Sequence, residues 1–576
     1  MRSIQEIVEL RDYLKNNYYN QLHANFDILS DYYNQNMALG KMPTMATIYK
    51  PPTAREQVNS AVHQVMQLEH LVRVPYWNAN QKDKEIAGRL IKFGEAFLLW
   101  LGKHYKVNLR AAFLKNMFLY GTGVLKGPLY IPREQNGDDA KYWQSKLERT
   151  FPLEFRNIHP KNIFPEPDDP VPSVIESYGR TVASVKKIWP EWDEGFKKPT
   201  DKITWWEYWD AEQKQYFVGD DPILDDDSME NPYGFIPYEF GDSGYGLDSP
   251  DAKPEEAICG LIAPALSTYV AEARMKSAIL FGLEQGIYTR PILEKPPDPT
   301  NFKWADTLGD WSIVPADLGL KKYGPEQVVP DAYRWLSMVE NDQQTVLPKN
   351  LAGMAQKGYT SGYGQAMGVG QAKTKLKGPQ TSWENAISRV LDKILYMVKE
   401  VIDEPIGIVG NFPEGLSVTT IRPNEIDPDN IHYYVSLDAE SPEEKDRRQL
   451  LGMRLLSING PLGVGGLSYD TICREYFDKD PQEEIDNMLV QSAMNSPIIQ
   501  AALAAQALSD AGMKELLGAI KNGELGQFQH GPSGTQDRAF SDYQRTKMRL
   551  QPGTQTMASE PEMEGAPNEV QNVSPY

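Results

Sequence analysis

The sequence predicts an α+β subunit that is mainly helical, and three observations carry that prediction. Apolar residues recur at three- and four-residue spacing near the N-terminus, in the middle and toward the C-terminus of the 576-residue chain. Short alternating apolar and polar runs, punctuated by Pro, Gly and Asp, gather between about 147 and 245. Helical and strand-like segments are thus largely segregated, which is the α+β pattern.

Composition bounds the function. The length allows roughly three or four domains' worth of core, and 41% hydrophobic with 10% aromatic content is globular. A formal charge of −20 argues against an ordinary, broadly basic nucleic-acid-binding surface. It keeps copies soluble, and a surface lined by many copies would repel DNA. The two cysteines, Cys259 and Cys473, lie far apart in apolar surroundings, so a reducing compartment is expected rather than a disulfide framework. The N-terminus lacks the pattern of a signal peptide, and no apolar run approaches the ~18 residues that span a bilayer. A soluble protein made in a cytoplasm is expected.

The first 120 residues read as helices. In "TAREQVNSAVHQVMQLEHLV", Val58, Val62, Val65 and Leu68 mark one helical face. A longer helix from about Lys82 to His104 follows, then "NLRAAFLKNMFLYG". At Gly121 the pattern turns to a strand, "GTGVLKGPLYIP". "RTFPLEFRNIHP", "KITWWEYWD" and "KQYFVGD" are further strands, with the short helix "TVASVKKIW" among them. The acidic "GDDPILDDDSMEN" lacks the glycine and terminal glutamate of an EF-hand and reads as a solvated loop. The block from Asp251 to Gly286 is helical, with Pro264 expected to kink or divide it. Strand-like "IYTRPILE" and "WSIVPADLG" precede a second helix, "DAYRWLSMVENDQQTVL". Helix, compact β insert, helix is the pattern of two long helices presenting a small module at their far end.

The stretch "GMAQKGYTSGYGQAMGVGQAKTKLKG", residues 353–378, is unusual. It holds seven glycines and four lysines, and the 41 residues between Asp342 and Glu384 contain no carboxylate. "GQAMGVGQAKT" is not a P-loop, because Gln371 and Ala372 separate the last glycine from Lys373. A plain linker remains an alternative, although linkers are usually neutral and Ser-rich. Tyr359, Tyr363, Met354 and Met367 favour a functional mobile loop. Thr381 and Glu384 have capping-box spacing. The helix they would start has an apolar face at Trp383, Ile387, Val390, Leu391, Ile394, Val398 and Val401, with Arg389, Asp392, Lys393 and Lys399 opposite.

After Pro405 come three strand-like runs, "IGIVG", "LSVTTIRP" and "IHYYVSLD". Ser441-Pro442-x-Glu444 and Asp480-Pro481-x-Glu483 then start helices, and an Ala-rich helix closes the folded part. From 525 on, six of 52 residues are Leu, Ile, Val, Phe or Trp, so a disordered tail is expected. Seven scattered histidines show no metal spacing; His63 and His70, on one predicted helix, are the pair that would share a face. No G-x-S-x-G turn is present. Neither a cofactor, a metal site nor an enzyme is indicated.

The order of these elements resembles the portal protein, or head–tail connector, of tailed double-stranded DNA bacteriophages. "FLYGTGVLKG" is similar to the helix-then-Gly strand that opens a portal wing, and "FRNIHPKNIFPEPDDP" to a Pro-containing portal phrase. The resemblance implies N-terminal helices and wing at 1–250, a stem helix at 251–286, a clip at 287–330 and a returning stem helix at 331–352. It further implies a tunnel loop at 353–378, a tunnel-lining helix at 379–404, wing strands at 405–440, a helical crown at 441–524 and a tail at 525–576. Lys357, Lys373, Lys375 and Lys377 would be the DNA-contacting residues of the loop. The implied assembly is a dodecameric ring at one capsid vertex of the virion, formed in the host cytoplasm with the major capsid and scaffolding proteins. DNA would pass through it without sequence preference, and the terminase large subunit and then a head–tail adaptor would dock on it. Another virion or neck structural protein, or a cytoplasmic enzyme with an unrecognised site, are the alternatives.

Overall fold

The first helix forms where the sequence caps it. Glu6 N–H donates to Ser3 Oγ at 3.4 Å and Ser3 N–H to Glu6 Oε2 at 2.8 Å, a reciprocal box ahead of α1 (Ile4–Tyr13). The computed structural model describes residues 2–42, 46–75, 81–131, 151–192, 195, 197–224, 229–249, 251–287, 292–295, 312–315, 330–344, 346–347, 374–412, 415–428, 430–437, 442–459, 469–477, 485, 488–489 and 492. They are α+β and mainly helical, and the chain divides into two units, Met1–Ser441 and Pro442–Tyr576.

In the first unit a π-type turn (Leu14–Tyr18) leads to α2 (Asn20–Tyr33), whose Leu22, Phe26, Leu29 and Tyr33 are buried at helical spacing. α3 (Thr53–Met66), α4 (Gln81–Lys103) and α5 (Leu109–Tyr120) follow. α3 buries Val58, Val62 and Val65 as the spacing predicts, but it ends at Met66. Its expected continuation is instead a strand, β1 (His70–Arg73), which pairs antiparallel with β14 (Tyr434–Leu437), Val72 opposite Val435. His63 and His70 therefore sit on different elements and share no helix face. Long-range pairing has overridden the local helical pattern.

Asn108 caps α5 through Oδ1, which accepts the Ala111 N–H at 3.1 Å, and Gly121 ends it with φ +95°. β2 (Thr122–Tyr130) is central in a three-stranded antiparallel sheet, between β3 (Leu153–Ile158) and β9 (Tyr238–Asp242). A five-stranded antiparallel sheet runs β4 (Ile163–Pro165), β5 (Ser173–Thr181), β6 (Lys202–Asp210), β7 (Lys214–Val218), β8 (Asp221–Pro222). α6 (Val182–Ile188), capped by Thr181, lies between β5 and β6 in sequence. Trp206 and Phe217, opposite one another on β6 and β7, stack with centroids 3.6 Å apart in the core.

One ionic cluster ties the two sheets together. Lys126 on β2 reaches Glu176 on β5 at 2.7 Å and Glu207 on β6 at 2.6 Å, all three buried. Tyr238 Oη donates to Glu176, and the indole N–H groups of Trp205 and Trp209 donate to Glu207. Fully buried charges persist only when paired and hydrogen-bonded in this way.

The block from Asp251 is divided rather than kinked. α7 (Pro254–Ala257) is a single turn, and a 3₁₀ turn (Ala263–Ala265) precedes α8 (Leu266–Ile287). Gly260 explains the break: a Cβ there would lie 2.1 Å from Leu119 O, and Leu261 N–H donates to Phe118 O at 2.7 Å. The chain lies backbone to backbone against the end of α5, an approach that glycine permits. β10 (Ile292–Lys295) and β11 (Ser312–Pro315) pair in parallel, and α9 (Pro330–Gln344) follows.

α10 (Lys377–Tyr396) runs into a π-type turn, Met397–Ile402, ended by Asp403 at φ +48°. Its apolar face is buried as predicted, but the predicted capping box is absent. The helix begins four residues before Thr381, and Leu376 at its N-cap makes no side-chain cap bond. Pro379 is tolerated in the first turn because an N–H there has no helical partner to lose. β12 (Ile406–Phe412) and β13 (Gly415–Ile421) form an antiparallel hairpin packed on α4.

In the second unit α11 (Pro442–Asn459) starts at the Ser-Pro signal. It packs on α12 (Tyr469–Tyr476) at Gly452, where a Cβ would meet Tyr476 Cβ at 2.6 Å. The Asp480-Pro481 signal, the Ala-rich helix and the tail lie outside the described residues.

Candidate functional site

The two long helices on either side of the β insert lie antiparallel. Gln343 Nε2 on α9 donates to Glu272 Oε2 on α8 at 2.8 Å, and Lys276 reaches Glu272 at 2.5 Å and Glu340 at 3.4 Å. Pairing 272 with 343 and 276 with 340 runs the helices in opposite directions. Glu272 is buried and also accepts the Thr53 hydroxyl at 3.0 Å. Further along α8, Ser277 Oγ accepts the Tyr49 N–H at 2.9 Å, Glu284 accepts the Thr47 hydroxyl, and Arg274 Nε donates to Leu39 O. Leu39, Thr47, Tyr49 and Thr53 thus hold α8 along its length.

The second element is the start of α10. Lys375 and Lys377 are exposed there, whereas Lys357 and Lys373 lie outside the described residues, as does the rest of the glycine-rich stretch before Thr374. The helix start is held by the turn after β9. Tyr245 Oη donates to Lys375 O at 3.0 Å, Asp242 N–H donates to Ser382 Oγ at 2.7 Å, and a Cβ on Gly378 would lie 2.8 Å from Ser243 O.

From Lys377 an exposed row, Thr381, Asn385 and Arg389, winds along α10 in four-residue steps. It covers about 18 Å of helix. No carboxylate joins it. Glu384 is turned to β14, where Oε1 accepts the Leu437 N–H at 2.6 Å. The row escapes a motif search, but its signal is present as i, i+4 spacing of Lys, Thr, Asn and Arg.

The predicted polar face of this helix is partly consumed by internal contacts. Arg389 and Lys393 both pair with the buried Glu239 of β9 at 2.6 Å, and Lys393 Nζ also donates to Ile236 O and Tyr238 O. Burial holds Lys393 below the usual lysine range, against the opposing charge of Glu239. Asp392 accepts the Tyr433 N–H at 2.8 Å, and burial raises it above the usual carboxylate range despite that bond and the nearby His432. α10 is therefore clamped on two sides, which fixes the direction in which its exposed row faces.

Among the described residues no three His, Cys, Asp or Glu side chains are grouped to hold a metal, and no helix is long and apolar enough to cross a membrane. No protein-family model matches the chain, and no curated protein matches it. Among solved structures it is similar to a chain of the virion of a native gene transfer agent particle, with TM-score 0.32 and 10% identity over 78% of this chain and 92% of that one. A chain from the neck of a native gene transfer agent particle computed with C12 symmetry gives TM-score 0.31 and 11% identity, over 73% and 89%. Superpositions this loose carry no argument about function.

Proposed function

We propose that the chain is a phage portal protein, one subunit of a ring at a capsid vertex through which double-stranded DNA is packaged and ejected. The observation that supports this best is the antiparallel α8–α9 pair. From the Lys276–Glu340 contact, Ile287 lies eleven residues on and Pro330 ten residues back. At 1.5 Å per residue these are about 16 and 15 Å in the same direction. The insert between them leaves and returns at one end of the helix pair, as a clip at the tip of a stem would. In this reading that clip is the surface on which the terminase and later the adaptor dock.

The electrostatics suit a channel that DNA slides through. Many copies of a chain with net charge −20 would present a mainly negative wall, which limits adhesion. Lys357, Lys373, Lys375 and Lys377 would add weak, sequence-independent phosphate contacts that fade with salt.

Negative-stain electron microscopy with solution mass tests the architecture. Rings with a central channel and a mass of about twelve chains are expected for closed cyclic assembly; a compact dimer with a single deep pocket would overturn the reading. Replacing all four lysines by glutamine should reduce DNA packaging or retention while rings still form. Unchanged length and retention of packaged DNA would remove the role assigned to the loop.

A further inference from the structure

A cavity of about 430 Å³ opens between β1, the C-terminal part of α4, the start of α5 and Trp383 of α10. None of the contacts proposed for DNA touches it. Arg110 lines it and is only 8% exposed. Its Nη2 donates to Val65 O at 2.7 Å and Leu68 O at 3.2 Å, while Nε is buried with no acceptor. Among the described residues no carboxylate forms an ion pair with this guanidinium. Burial pushes it down to about 10, with no neighbouring negative charge opposing the shift. A buried cation left this way is costly unless an anion completes it.

The groups beside Arg110 are also donors. His70 Nε2 accepts the Trp383 indole N–H at 3.0 Å, so the ring proton sits on Nδ1. Burial, with the charge of Arg110 adding to it, pushes His70 down to about 3 and keeps it neutral. Asn108 has its Oδ1 engaged by the Ala111 N–H, which leaves its NH₂ to donate. Glu69 and Glu95 line the same cavity, but neither pairs with Arg110, and burial raises Glu95. Gln67 and Lys103 also line the cavity, and the rest of the wall is largely apolar, including Leu68 and Leu98.

We infer that this cavity binds a carboxylate with an apolar body, the carboxylate meeting Arg110 and His70 Nδ1–H and the body lying against Leu68, Leu98 and Trp383. A charge-assisted hydrogen bond from the guanidinium to a carboxylate is roughly twice as strong as a neutral one. The acid has two sources, a free amphipathic acid or an acidic side chain of a second copy. The assignment does not rest on the portal reading.

The test is calorimetric titration of the full chain with octanoate and, separately, with octan-1-ol. Octanoate should bind at one site per chain, about tenfold or more tighter than the alcohol, and R110Q should lose most of that preference. Equal binding of acid and alcohol, or an unchanged preference in R110Q, would overturn the site. The acid-to-alcohol ratio needs no variant, so it decides even if R110Q does not fold. Sedimentation with octanoate separates the sources: dispersal of associated chains assigns the natural carboxylate to a second copy, and unchanged association assigns it to a free acid.

Discussion

Replacing Lys126 by Met tests whether the two sheets of the first unit are held by the buried charge cluster. The ammonium lies 2.7 Å from Glu176 and 2.6 Å from Glu207, with the three side chains only 3%, 6% and 7% exposed. Methionine fills most of the volume but leaves two buried carboxylates without a cation. Tyr238, Trp205 and Trp209 still donate to them, so hydrogen bonding survives while neutralisation does not. Removing one partner of a buried pair costs about 3–5 kcal/mol, whereas an exposed pair is worth at most about 1. The pH dependence supplies a second signature. In the native protein burial would raise Glu207, but the Lys126 charge and hydrogen bonds outweigh it and leave it below its ordinary 4.5. That stabilisation is present above 4.5 and is lost as pH falls through the lowered value. Burial likewise would lower Lys126, but Glu207 and Glu176 leave it above 10.5, so its contribution is lost only as pH rises beyond that raised value. In K126M burial, the largest influence, is opposed only by the remaining hydrogen bonds and raises the carboxylate, so stability falls as pH rises through it. The deficit against wild type, followed by circular dichroism in urea, should therefore be larger at pH 7 than at pH 5. K126M/E176Q/E207Q should recover most of it. A loss below about 1 kcal/mol, or the same deficit at both pH values, would refute the reasoning.

Other substitutions probe the positions where local and long-range forces compete. T381A should change stability by less than about 0.5 kcal/mol, because Thr381 lies exposed inside α10; a working N-cap would cost about 1. G260A should cost at least about 1–3 kcal/mol in urea unfolding, since its methyl would displace the α5 carbonyl that now sits 2.1 Å from that site. Q343A should cost about 1–2 kcal/mol through loss of the bond to Glu272, and α8 and α9 should then exchange amide hydrogens faster than the β5–β6 pair. Equal exchange in both regions would argue that the helix pair is held by other contacts.

What the sequence determined by itself is what short-range chemistry controls. Thr181 caps α6, Ser-Pro starts α11, and the Trp383–Ile387–Val390–Ile394 spacing yields the buried face of α10. Each is a signal within one or two helical turns. The exposed lysines at the start of α10 were legible in the same way, as charges beside a glycine-rich stretch. The tertiary structure decided what depends on a distant partner. His70–Arg73 became a strand because Tyr434–Leu437 offered backbone hydrogen bonds, and Glu384 became the anchor of that strand rather than a cap. The helix after Asp251 broke at Gly260 because another backbone passes there. Lys126, one cation in an apolar run, went inside because the facing sheet supplied two carboxylates, while Arg110 went inside with none. Burial and charge pairing belong to groups brought together by folding, so no window of sequence contains them.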